Sequence, residues 1–273
     1  ATAPVDVSEL LPKKPAGLGR PSTDRAAWKA LAAAPGYDGI VDQAAGLIGK
    51  AVPQQSDELY LDFSRTGNRS RWQRVASSRR SRIGLFTVAE CLENHGRFIT
   101  DLEKVIAAVC SERTWVYPAH DRSLGNFKGK TIDIDLASSY VGWEMATAKY
   151  LLGDKLSVKT RKLIDANLRK RIFDPYMAMV GGKRRANWWM STTNNWNAVC
   201  LAGVTGAALA NIESPVERGK YVAAAMKYSR SFLAGFTSDG YCSEGLGYWS
   251  YGFGNYVQLA ETIWQATGGQ IDM

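Results

Sequence analysis

Apolar residues recur along this chain every three to four positions, the spacing that places them on one face of an α-helix. In residues 37–52 that stripe consists of Ile40, Val41, Ala44, Leu47 and Ile48. Residues 22–35 begin with the capping residues Ser-Thr-Asp and stop at a proline, which predicts a second helix. No segment alternates apolar and polar residues over the length of a strand. The pattern therefore predicts an all-α protein.

Seven further segments show the helical spacing: 83–94, 99–112, 134–153, 157–180, 197–212, 215–236 and 251–268. One part of them, LAGVTGAALA at residues 201–210, is small and apolar all round, so other helices must enclose it. Two concentric rings of antiparallel helices would bury such a segment, as would a large irregular bundle. We favour the first, an α/α toroid (an incomplete helical barrel) formed as one domain by residues 22–273. We expect residues 1–21 to form an irregular arm.

The chain is basic, with 34 lysines and arginines against 26 acidic residues and a net charge of +8. Such a charge attracts polyanions, among them nucleic acid, anionic lipid and acidic polysaccharide. Residues 65–82 hold seven arginines and no acid. They form either a solvated basic segment or a cluster for carboxylates or sulfates, since a guanidinium matches such anions with a planar fork. In the second case they would line a substrate groove.

The sequence carries no recognisable metal motif. Its four cysteines (Cys91, Cys110, Cys200 and Cys242) form no C-x-x-C pair, and three of them lie on apolar helical patterns. One disulfide is possible among these cysteines, but the sequence does not indicate which two would pair. With only two histidines, a multi-histidine metal site is excluded, and we expect no cofactor.

No run of 18 apolar residues occurs, so we expect no membrane span. The start, ATAPVDVSELLPKKP, resembles the polar leader of a mature chain, which predicts a secreted or periplasmic protein. No nucleic-acid-binding motif is present, and we expect no nucleic-acid partner.

Three segments concentrate aromatic, amide and charged residues: 114–123, 181–197 and 239–256. Aromatic rings stack on the C–H faces of sugars while amides bond sugar hydroxyls, so these segments predict carbohydrate binding. The candidate binding residues are Trp115, His120, Arg184, Arg185, Trp188, Trp189, Trp196, Asn197 and Glu244. The alternatives are core packing for the tryptophans and helix N-capping for the asparagines. Three asparagines in four positions (194, 195 and 197) exceed what one cap needs.

Three motifs together resemble the heparinase II/III-like polysaccharide lyases. They are T-W-V-Y-P-A-H-D, the N-N-W-N before the small-residue helix, and D-G-Y-C-S-E-G-L-G-Y-W-S-Y. The resemblance covers residues 60–273 and implies an α/α toroid followed by a large antiparallel β-sandwich domain. It implies that this chain is the toroid alone, with the sandwich domain to follow in the full-length protein. The implied substrates are uronate-containing polysaccharides, such as glycosaminoglycans or alginate.

The resemblance also implies the chemistry, which is β-elimination. The substrate carboxylate must be neutralised before its neighbouring C5 proton can leave. By the resemblance, Asn194 and Asn195 do this, and a tyrosine serves as general acid and base, Tyr248 first and Tyr251 as the alternate. Some relatives carry a histidine where this chain has Trp196. A tyrosine needs a cationic neighbour to act as base near neutrality, for which Arg184 or Arg185 is the candidate.

Two other functions remain open from the residues. The chain could be a toroid that holds anionic glycan without cleaving it. It could also be a toroid glycoside hydrolase, which needs two facing carboxylates. The candidate carboxylates are Asp121, Asp133, Asp135 and Glu244.

Overall fold

A computed structural model describes residues 6–273 of the chain, and within that range it is all-helical without a β-strand. The α-helices are α1 (Arg25–Ala32), α2 (Ile40–Ala45), α3 (Asp57–Thr66), α4 (Ser70–Glu93), α5 (Ile99–Cys110), α6 (Leu136–Leu152), α7 (Val158–Leu168), α8 (Asp174–Val180), α9 (Asn195–Asn211), α10 (Pro215–Leu233) and α11 (Leu246–Ala266). The all-α prediction is confirmed. The toroidal arrangement of these helices stays a prediction.

The ends of several helices follow local chemistry. The Asp24 side chain caps α1 by accepting a hydrogen bond from the backbone N–H of Ala27 at 3.1 Å, as the capping residues predicted. Helix α2 is shorter than its apolar stripe, because it ends at a glycine and a left-handed glycine, Gly49, follows (φ 73°). Helix α3 was not predicted, and α4 begins at Ser70 rather than at Ile83.

The chain groups into two compact units. The first comprises the described part of Ala1–Leu18 with Asp133–Ala146 and Leu168–Met273; the second comprises Gly19–Ile132 and Thr147–Asn167. The prediction of one domain over residues 22–273 stays a prediction.

Helix α9 forms the centre of the first unit. Every residue of α9 except Trp196 is buried, which confirms that the small-residue segment is enclosed. Helices α10 and α11 pack along it, and α6 approaches it closely at two glycines. A Cβ atom on Gly203 would lie 2.7 Å from the backbone carbonyl of Ser139, and one on Gly206 would collide with the Trp143 indole. Because glycine has no side chain, these two positions allow α6 and α9 to lie this close together.

Residues 6–18 of the predicted arm belong to the first unit and residues 19–21 to the second, while residues 1–5 lie outside the described residues. It contains one 3-10 turn, Val7–Leu10, that packs on α10. The buried guanidinium of Arg218 donates to the carbonyls of Pro12 and Lys13, and the N–H of Ala16 donates to the carbonyl of Leu209 at 2.9 Å. Between residues 11 and 21 the chain forms no regular helix or strand.

The arginines of α4 hold the second unit together. Arg79 donates to the carbonyls of Pro53 and Ala108, both at 2.6 Å. Arg80 forms an ion pair with Glu112, and Arg82 donates to two backbone carbonyls of residues 50 and 51. All three guanidinium-bearing side chains are buried. The expectation that the arginines of residues 65–82 line a substrate groove is wrong for these three, because they are buried and their terminal guanidinium nitrogens bond within the fold.

All four cysteines are free thiols, and burial raises the pKa of Cys91 to about 12. In residues 6–273, no three His, Cys, Asp or Glu side chains are grouped to hold a metal ion. None of the helices in that range is both long and apolar enough to cross a membrane.

We expect Gly203→Ala to destabilise the first unit by about 1–3 kcal/mol, because the added methyl group meets backbone atoms of α6 that cannot rotate away. Chemical denaturation followed by circular dichroism measures the change. Gly254→Ala on α11 is the control, since nothing lies within 4 Å of its Cβ position; helix propensity should stabilise it by ~0.5–1 kcal/mol. Equal midpoints for the two variants would contradict the close approach of α6 and α9.

Candidate functional site

The N-terminus of α9 carries the first candidate group, Asn194. Its side-chain Oδ1 caps the helix by accepting from the backbone N–H of Trp196 at 3.1 Å. The side chain is half-buried, and its amide Nδ2 makes no hydrogen bond to any residue between 6 and 273. Asn194 therefore both closes the helix and offers an amide donor.

The next residue, Asn195, is engaged by the loop between α10 and α11. The Glu244 carboxylate accepts from the backbone N–H of Asn195 and from its side-chain Nδ2, both at 2.6 Å. An anion is stabilised at this position by the partial positive charge of the helix N-terminus. Asn195 is 4% exposed. The predicted substrate-binding role of Glu244 is thus replaced by an internal one, because its oxygens hold Asn195.

The two candidate tyrosines lie at the start of α11, where this helix packs on the N-terminus of α9. A Cβ atom on Gly252 would lie 3.1 Å from the Cβ of Asn195. Tyr248 precedes Gly252 by one helical turn on the same face, and Tyr251 is its immediate neighbour. Tyr248 is 58% exposed and Tyr251 is also exposed.

Within residues 6–273, no hydrogen bond joins Tyr248 to either arginine that was expected beside it. Arg184 instead donates to Asp133 at 3.0 Å, and Asp133 also accepts from the side chain of Asn187 at 3.1 Å. Arg185 is exposed and forms no ion pair within the described part of the chain. Arg184 therefore has a structural partner, while Arg185 is the guanidinium open to an external anion.

Trp188 and Trp196 form an aromatic pair at the surface of this unit. Their ring centroids lie 4.8 Å apart with the planes inclined by 46°, and Trp188 is 55% exposed. Trp188 belongs to the 3-10 turn Trp188–Ser191, and Trp196 lies in the first turn of α9. The pair offers the exposed ring of Trp188, packed on the half-buried ring of Trp196.

Two other predicted binding residues of this segment are part of the core. Trp189 is fully buried, and its Nε1 donates to the carbonyl of Ile134 at 2.6 Å. Asn197 is fully buried, and its Nδ2 donates to the carbonyls of Trp189, Met190 and Tyr228. The substrate-binding prediction is wrong for both, because the side chains are buried and their N–H groups bond backbone carbonyls of the core.

The second unit holds the remaining two candidates. Trp115 is 1% exposed and donates through Nε1 to the carbonyl of Val109 at 2.9 Å, so its predicted sugar contact is wrong. His120 ends the 3-10 turn Pro118–His120, with its ring 5.6 Å from that of Tyr117.

The carboxylates proposed for a hydrolase are engaged in local structure. Asp121 is buried and accepts from the Tyr60 hydroxyl at 3.1 Å and from the backbone N–H of Phe127 at 2.9 Å. Asp135 accepts from the N–H of Ser138 at 2.8 Å in the first turn of α6. With Asp133 bound to Arg184 and Glu244 to Asn195, the structure singles out no facing pair.

A third exposed tyrosine, Tyr140 on α6, did not emerge from the sequence. Its hydroxyl hydrogen-bonds to Glu144. The negative charge of Glu144, followed by desolvation, raises the pKa of Tyr140 to about 12, and Tyr251 adds to the effect. The spacing of the pair, four residues apart on one helix, is the signal that could have identified it.

The chain matches no family model and no curated protein. The resemblance to the heparinase II/III-like lyases thus stays a prediction that rests on the three sequence motifs at residues 114–121, 194–197 and 239–251.

We expect Tyr140 to remain protonated to about pH 12 and Glu144→Gln to lower its pKa, because a neutral amide does not oppose the phenolate charge. Since the pKa of an unfolded tyrosine is about 10, this group's contribution to stability is present below that pH and lost as the pH rises toward 12. Ultraviolet titration of phenolate formation, with Tyr140→Phe to assign the signal, measures it. An unchanged titration in Glu144→Gln would contradict the pairing.

Proposed function

We propose that this chain is a polysaccharide lyase, or the toroid domain of one, that cleaves uronate-containing acidic polysaccharide by β-elimination. The observation that carries the proposal is the grouping of site residues around the N-terminus of α9. An Asn194 amide without a hydrogen bond in residues 6–273, a tryptophan pair of which Trp188 is exposed, and two exposed tyrosines belong to the same compact unit. An amide donor, a ring surface and a phenol are the groups that such a reaction requires.

The substrate carboxylate is neutralised by hydrogen bonding in this proposal. The Nδ2 of Asn194 donates to it, at a helix end whose backbone dipoles also favour negative charge. Stabilising the carboxylate as charge develops on it makes the C5 proton acidic enough to remove. Asn194 thus acts on the charge that forms in the transition state rather than on the sugar ring.

A tyrosine then moves the protons. A phenolate takes the C5 proton, the C4–O bond breaks as the C4–C5 double bond forms, and the phenol returns a proton to the leaving oxygen. Tyr248 is our first candidate, since it lies one turn before the glycine that packs on Asn195, and Tyr251 is the alternate. The raised pKa of Tyr140 disfavours it as the base.

The exposed rings and the free guanidinium account for binding. Trp188 and Trp196 present indole surface on which the C–H faces of sugars can stack. Arg185 can pair with a second carboxylate or a sulfate along the chain, and the net charge of +8 favours acidic glycans in general. A secreted or periplasmic location and a following β-sandwich domain remain part of the proposal. A glycan-binding toroid that cannot cleave its ligand is the second possibility.

The first test is the ultraviolet absorbance of the unsaturated uronate that eliminative cleavage produces, measured on a panel of uronate polysaccharides. We expect a rise for at least one of them, and a loss on the order of 100-fold in Tyr248→Phe through removal of acid–base catalysis. Tyr241→Phe, an exposed tyrosine of the preceding loop, is the matched control and should keep full activity. A binding signal without any absorbance rise would favour the non-catalytic toroid, and neither signal would exclude both functions.

The second test addresses binding. Trp188→Ala should weaken the affinity for an acidic oligosaccharide on the order of tenfold, because a stacking surface is lost. Arg185→Ala should weaken it as well and reduce its dependence on salt, whereas Arg74→Ala removes the same charge from the second unit and should not. Calorimetric titration at two salt concentrations measures both effects. Equal losses in the two arginine variants would mean that only net charge matters.

A further inference from the structure

The N-terminus of α9 already holds a carboxylate, that of Glu244. Its two oxygens lie 2.6 Å from the backbone nitrogen and from the Nδ2 of Asn195, the range of short charge-assisted hydrogen bonds. The loop that carries Glu244 is shaped by a turn in which the N–H of Thr237 donates to the carbonyl of Tyr241 at 3.0 Å. The internal carboxylate therefore uses the donors that a ligand carboxylate would need at Asn195.

The other end of the Asn195 amide has no partner. Its Oδ1 is buried and accepts no hydrogen bond from any residue of the range 6–273. Exchanging the amide oxygen and nitrogen would place Oδ1 against the Glu244 oxygen, two acceptors facing each other, and would lose a charge-assisted bond. Glu244 thus dictates that the oxygen of Asn195, not its NH₂ group, is the buried end of the amide that lacks a partner among residues 6–273.

We propose that Glu244 is a positioning residue that fixes Asn195 as a hydrogen-bond acceptor and leaves Asn194 as the amide donor for an acidic ligand. The ligand part rests on the proposed function; the orientation of Asn195 does not. A ligand carboxylate at Asn195 would lie beside the like charge of Glu244, and the side chain is almost inaccessible. Of the two asparagines expected to neutralise the carboxylate, Asn194 takes that role, while the Oδ1 of Asn195 remains a buried acceptor.

An exchange of the two side chains tests the orientation without any substrate. In Glu244→Gln the charge-assisted bonds are lost and the Asn195 amide must turn over to accept from the new NH₂ group, and in Asn195→Asp two carboxylates face each other. In the double variant the new glutamine can accept from the backbone N–H of residue 195 and donate to the new carboxylate. We expect each single variant to lower the thermal midpoint by ~3 °C or more and the double variant to recover most of the loss. Additive losses in the double variant would overturn the positioning role.

Turnover separates the acceptor role from the donor role. If Asn195 acts as an acceptor, the double variant loses less kcat than Asn194→Ser does, because the carboxylate retains an acceptor at the same place. Asn194→Ser keeps an oxygen that caps α9 but removes the amide donor, so kcat should fall at least ~10-fold while the thermal midpoint hardly changes. A stable but inactive double variant, together with an active Asn194→Ser, would show that Asn195 donates to the substrate and would overturn the proposal.

The two proposals fail separately. If the wild type cleaves no polysaccharide, the same variants are compared for binding an acidic oligosaccharide by the fluorescence of the Trp188–Trp196 pair. Weaker binding in Asn194→Ser but not in the double variant supports the inference. If the wild type also binds nothing, the proposed function and the ligand part of the inference fail together, and the thermal midpoints still decide whether Glu244 orients Asn195.

Discussion

The first unit depends on satisfying the polar groups at the N-terminus of a helix that is buried on nearly all sides. The first N–H groups of any helix lack partners within it, and around α9 there is little solvent to supply them. The Asn194 side chain accepts a hydrogen bond from the N–H of Trp196, and the Glu244 carboxylate accepts one from the N–H of Asn195. Both contacts bring polar side chains to one place, so the need to bury α9 also gathers the groups that could meet a ligand there.

Close helix packing gives this place a firm frame. The glycines of α9 let the backbone of α6 come into contact with it. Gly252 of α11 likewise lets α11 pack closely against α9 at Asn195. Side chains on packed helices are positioned more accurately than side chains on loops. An amide or a phenol needs that accuracy if it is to act on a specific atom of a ligand. The second unit is held differently: buried guanidinium groups of α4 donate to backbone carbonyls, so part of the basic charge is structural.

Neighbouring residues of one type have opposite roles in the candidate site. Trp188 is exposed and Trp189 is core; Asn194 has an open amide, whereas that of Asn197 is used on three carbonyls. The same division separates Arg185 from Arg184. Free donors and exposed rings, rather than residue type, therefore identify the groups that a ligand can reach. The lyase proposal then depends on fewer residues than the composition of these segments suggests.

The sequence alone determined the all-helical class, the enclosure of the small-residue helix and the cap of α1, because helical periodicity and capping chemistry act within a few residues of the chain. It indicated the segments of the candidate site, and that one of its asparagines caps α9. Tertiary structure decided which tryptophans and arginines are exposed, that Glu244 binds Asn195 and that Tyr251 helps to raise the pKa of Tyr140. These outcomes depend on which atoms from distant parts of the chain meet, and a local pattern carries no information about such partners.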